Sequence, residues 1–165
     1  MGTYRVSRNL EATLVQYIEE SLTEGGWSNV EVVKGFKLVY DSKIGGNNNS
    51  AIISVRLNTT SHKRVEVGSN STKRKALILI DIFAANDGQR LDLKDFLVDE
   101  LKGGCIYYEY IVGAAVNNKT ANGRIRVLEM EDMPIDFGTD KSAMDPHDRF
   151  RHLITIEATT GKVEE

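Results

Sequence analysis

The sequence predicts an α+β domain: a mostly antiparallel sheet packed against two amphipathic helices, with an extended hairpin arm and long loops. Three patterns carry that expectation. Apolar residues recur at helical spacing near the start of the chain and again around residues 92–101. Apolar and β-branched runs of strand length fill the intervals. The order of helix, several strands, helix and several strands segregates the helices, which argues against a doubly wound parallel sheet. With 165 residues, 41% of them hydrophobic and 27% charged, a chain buries about 68–70% of its unfolded surface and needs neither disulfide nor metal to hold a core. A single domain over residues 1–165 is therefore expected.

Taken in order, Val6, Leu10, Leu14, Tyr17, Ile18 and Leu22 share one helical face, with Ser7 or Asn9 as the expected cap and Gly25-Gly26 as the stop. Val30, Val32 and Val33 read as a first strand, continued past Gly35 by Phe36, Leu38 and Tyr40 into a hairpin. DSKIGGNNNS at 41–50 concentrates turn residues and reads as a mobile loop. AIISVRL at 51–57 is a strand, and the polar stretch 58–75 suits an exposed hairpin or arm. ALILIDIF at 76–83 is apolar on both faces apart from Asp81, the mark of a central strand. Asp92 with Asp95 reads as the start of a second helix whose stripe is Leu93, Phe96, Leu97 and Leu101, ended by Gly103-Gly104. Three further strands are expected at 106–112, 124–130 and 150–158. The last two are separated by a long connection over 131–149, more often functional or mobile than neutral at such length.

Composition narrows the function. One cysteine, Cys105, allows no internal bridge, and the start lacks the apolar stretch of a secretory signal, so the chain reads as cytosolic. No apolar run approaches the roughly 18 residues of a membrane span. A formal net charge of −3 provides no general field for nucleic acid. Asp136-Phe137-Gly138 is the triplet with which kinases hold a metal, yet no phosphate loop or catalytic loop accompanies it. Walker, His-Glu-x-x-His, Cys-x-x-Cys and nucleophile-elbow motifs are absent from the sequence. His147 and His152, five residues apart, would point to opposite faces of one strand and read as a solvated turn entering it. Cys105 reads as a small buried hydrophobe rather than a nucleophile. Asp81 must find a donor, and structural pairing is favoured over general-base work. The sequence thus predicts no catalytic residue, no metal and no cofactor.

Two segments carry opposite charge. Residues 62–75 hold Lys63, Arg64, Lys73, Arg74 and Lys75 against Glu66; residues 129–148 hold seven acidic residues against Lys141. Each alone is explained by a solvated loop or a charged edge, whereas together they can be complementary surfaces. The subunit-interface candidates are Lys63, Arg64, Lys73 and Arg74 on one side, and Asp132, Met133, Ile135, Asp136 and Phe137 on the other.

The order of features carries a resemblance. An amphipathic helix leads through Gly25-Gly26-Trp27-Ser28-Asn29-Val30 to Val33-Lys34-Gly35-Phe36. Ile53-Ser54-Val55-Arg56-Leu57 then precedes Val65-Glu66-Val67-Gly68-Ser69, a basic stretch, Ile80-Asp81-Ile82-Phe83-Ala84 and the helix Asp92-Leu93-Lys94-Asp95-Phe96-Leu97. Over residues 5–103 and the closing strand at 150–158 this resembles the tail-terminator and neck proteins of long-tailed bacteriophages. The resemblance implies a homohexameric ring that caps the head-proximal end of the tail tube. It implies contacts with the tail tube protein and the head connector or completion protein, and passage of genomic DNA without sequence-specific binding. It also implies synthesis in the host cytoplasm, residence in the virion and no membrane contact. Another neck, head-completion or tail-completion ring is the nearest alternative. A small enzyme or ligand-binding domain using Asp81, Cys105 or the acidic segment is the alternative of another class, and a nucleic-acid-binding module would rest on the 62–75 patch alone.

Overall fold

The structure, a computed structural model, describes residues 5–36, 39, 51–111 and 118–164. Among them the chain runs through α1 (Val6–Glu24), β1 (Val30–Lys34), β2 (Ala51–Arg64), β3 (Thr72–Ala84), α2 (Asp87–Leu101), β4 (Cys105–Tyr110), β5 (Lys119–Ile135), a 3-10 turn at Lys141–Ala143, β6 (Phe150–Thr159) and the two-residue β7 (Val163–Glu164). The strands lie in the order β1-β2-β3-β6-β5-β4, with β7 on the outer part of β3. Only the β1–β2 pair is parallel among these. The fold is α+β with a mostly antiparallel sheet and two helices.

Both helices lie on one face of the sheet. Leu10, Leu14, Ile18 and Leu22 of α1 and Leu93, Leu97 and Leu101 of α2 are buried in one cluster with Ile78, Ile80 and Ile82 of β3 and Ile154 and Ile156 of β6. That places residues 76–83 at the centre, as their composition predicts. α2 packs on β3, β5 and β6, while α1 touches β1 and β2 at one flank and β4 at the other. The sheet is therefore curled, with α1 seated between its two margins. Gly25 lets the helices close: a Cβ there would lie 2.8 Å from the ring of Phe96 on α2.

Several expectations are corrected. Neither Ser7 nor Asn9 caps α1, which starts after Arg5 without a side-chain cap; Ser7 instead accepts a bond from Arg74, and Asn9 one from the Tyr110 N–H. The strand after Trp27 runs parallel to β2; Leu38 and Tyr40 of the expected hairpin and the loop at 41–50 lie outside the described residues. α2 begins five residues before Asp92, capped by Asn86, whose side chain accepts from the Gln89 N–H. β5 extends to Ile135, so the first five residues of the expected 131–149 connection are strand. Pairing with β7 means that the outer β2–β3 hairpin is not a free two-stranded arm.

Candidate assembly surface

Alternation along the strands sends one set of side chains toward the helices and the other to the outer face. On β3 and β6 the inner set is the isoleucine core, so Leu77, Leu79, Asp81 and Phe83, with Arg151, Leu153, Thr155 and Glu157, lie outside. The register extends these rows onto neighbouring strands: Ser54, Asp81, Leu153 and Met133 form one row, and Arg56, Leu79, Thr155 and Glu131 the next. At one end Phe36 and Val39 fold back over Val33, Ile52 and Phe83, forming a small second core. Between that end and the hairpin, Leu77, Leu79 and Leu153 are half-buried and Met133 is 55% exposed.

A charge ladder crosses this outer face. Asp81 is 1% exposed and satisfies the need for a donor twice, through Arg151 Nη2 at 3.2 Å and Arg56 Nε at 3.5 Å. The Arg151 guanidinium lies over the rings of Phe83 at 4.6 Å, Phe36 at 5.6 Å and Phe137 at 5.7 Å, and its Nη1 reaches Asp148 at 3.4 Å. Two cations thus face two carboxylates, held by aromatic walls. Beside them, where β5 ends, lies a cleft of about 130 Å³ lined by Arg90, Pro134, Phe137, Met144, Phe150 and Arg151.

The interface candidates fall into two groups. Lys63 and Lys73 are directly opposite each other near the hairpin end, on the outer face, and Arg64 is opposite Thr72. Arg74 points inward and is committed to Ser7 and Glu164. At the other end Met133 and Ile135 belong to the outer rows. Asp136 accepts from the Gly138 N–H, and Phe137 is exposed. Asp132 faces the helices, where it bonds His152 Nε2 at 2.7 Å and lies 3.8 Å from Lys94 Nζ. Arg74 and Asp132 therefore act within the subunit; Lys63, Lys73, Met133, Ile135, Asp136 and Phe137 are on the outer side, and Arg64, opposite Thr72, is exposed on the Arg74 face.

His152 departs from the solvated turn expected of it. It is 3% exposed in mid-strand, with Arg90 Nη1 2.6 Å from its Nδ1. An arginine only donates, so this arrangement is met by the neutral ring carrying its proton on Nε2. The spacing His152, Ile154, Ile156, Ala158 places it on the core face, a period-two signal present in the sequence itself. Cys105 is buried, and burial pushes its thiol up to about 11, the opposite of what a nucleophile needs. Among the described residues no group of three His, Cys, Asp or Glu side chains could hold a metal ion, and no helix is long and apolar enough to cross a membrane. No protein-family model matches the chain, and no curated protein matches it significantly.

Proposed function

We propose that the chain is a structural subunit that assembles head-to-tail into a ring, acting as the tail terminator of a long-tailed bacteriophage. The observation that carries the reading is the polarity of the outer face: lysines cluster near the hairpin end, while exposed apolar and acidic side chains line β5. A surface with unlike ends is complementary to a second copy of itself, and where such contacts are heterologous their repetition closes into rings. The resemblance to tail-terminator and neck proteins supports the same class and implies the stoichiometry, a homohexamer. In this reading the ring stands between the tail tube protein and the head connector, in the virion, with genomic DNA passing through its centre.

The test is the mass and shape of the purified chain. Light scattering and negative-stain imaging should show a closed ring of six copies that binds the end of assembled tail tubes. A monomer at every concentration up to the millimolar range would overturn the reading.

A further inference from the structure

We propose that the tip of the β2–β3 hairpin of one copy docks on the outer face of the next along β5 and β6, with Val65 and Val67 against Met133 and Leu153. The inference deepens the ring reading and rests on it. Three features of the molecule carry it.

The first is apolar exposure at the tip. The turn closes by the Val65 N–H bond to the Ser71 carbonyl, and beyond it Val67 stands fully in solvent while Val65 is 44% exposed. Of this β-branched pair at the end of a basic hairpin, Val67 buries no area in the single chain and Val65 remains partly exposed. Met133, with half-buried Leu153 beside it in register, offers apolar area of the same kind.

The second is electrostatic. Lys63 stands directly opposite Lys73, and Glu129 directly opposite Glu157. Like charges in facing positions of a sheet repel, so each pair is unfavourable in the isolated subunit. Lys75 answers Glu157 within the chain, and Glu129 and Glu131 remain exposed on the same face. The tip carries Lys63, Arg64 and Lys73 against Glu66, so its approach relieves both repulsions. On the receiving face Arg56, Lys75 and Arg151 are held by Asp81, Glu157 and Asp148 and do not oppose it.

The third is distance. Thr72 closes the hairpin ladder and Asp81 shares a row with Met133; the strand between them spans about 30 Å at about 3.3 Å per residue. A hairpin cannot reach that patch on its own subunit, so the occupant is a second copy.

The experiment is a cysteine pair, Val67→Cys with Met133→Cys, in the full chain under mild oxidation; Cys105 is buried and does not compete. Head-to-tail docking should yield a ladder of cross-linked multimers, and neither single variant should pass a dimer. In parallel, Val67→Asp should raise the concentration needed for assembly at least tenfold with an unchanged circular dichroism spectrum. A double variant that stops at a dimer, or that fails to cross-link while the wild type assembles, overturns the docking and leaves the ring. A wild type that never assembles overturns both.

Discussion

Thr13 Oγ1 lies 3.3 Å from both the backbone nitrogen and the carbonyl oxygen of Tyr108, so one helix hydroxyl satisfies both groups on the free margin of β4. Asn9 takes the Tyr110 N–H and Arg5 the Tyr110 carbonyl, while Glu11 takes the Leu57 N–H on β2. Polar residues on α1 thus do for the curled sheet what a further strand would do, and they blunt an edge that would otherwise recruit other chains. Thr13→Val keeps the shape and removes the bonds. It should cost about 1–3 kcal/mol, the penalty for stranded backbone groups, and raise aggregation, with Thr13→Ser restoring most of both. Urea unfolding and light scattering measure the two effects; a Thr13→Val protein as stable and as dispersed as wild type would show that water closes this edge equally well.

Asp81 and Arg151 form a second predicted weak point. The carboxylate is 1% exposed and the arginine side chain 12%, so removing the acid leaves a largely buried guanidinium without its main partner. Asp81→Ala should therefore destabilise by about 3–5 kcal/mol. Arg56 is more exposed and contributes less, because solvent screens it. Asp81→Leu with Arg151→Met should recover much of the loss. A single-variant change below about 1 kcal/mol in chemical denaturation contradicts this account.

Leu97 reports on the helix side. It is fully buried in the cluster shared by both helices and β3, and truncating such a leucine costs about 2–5 kcal/mol. Leu97→Ala measured by urea unfolding should fall in that range with an unchanged m-value. A shift on the scale of a surface substitution would place the stripe in solvent.

What the sequence makes legible follows from the range of each signal. The α1 and α2 stripes and the two-sided apolar run at 76–83 are local periodicities, and the structure places all three in the core. The parallel pairing of β1 is a contact with residues 51–55, and no alternation within β1 distinguishes a parallel neighbour from an antiparallel one. The start of α2 was available: Asn86 with Gln89 is a capping signal, and the Gln89 side chain also accepts from the Ala85 N–H. The adjacent Asp92 and Asp95 are simply exposed helix residues. Of the surface candidates, charge alone gave no means to separate Lys73 from Arg74 or Asp136 from Asp132. The register separates Lys73 from Arg74 and turns Asp132 toward the helices, while Asp136 lies past the end of β5.

Alkaline titration provides the last prediction. Burial raises the Cys105 thiol from 9.0 to about 11, with Arg124 opposing, and burial likewise raises the Tyr17, Tyr107 and Tyr110 hydroxyls above 10.0. A raised folded value means that the native state holds its proton more tightly than the unfolded chain does. The stabilisation is complete below the unfolded value and is lost as pH rises toward the folded one. The urea midpoint should therefore hold steady up to about pH 8.5 and fall between pH 9 and 11, with Cys105→Ala making the early part of the fall shallower. In the same window the native thiol should resist a disulfide reagent that labels it quickly in denaturant, since the thiolate is the reactive form. A midpoint that stays flat from pH 8 to 11, or a native thiol that reacts as fast as the unfolded one, would place Cys105 in contact with water rather than in the core shared with α1.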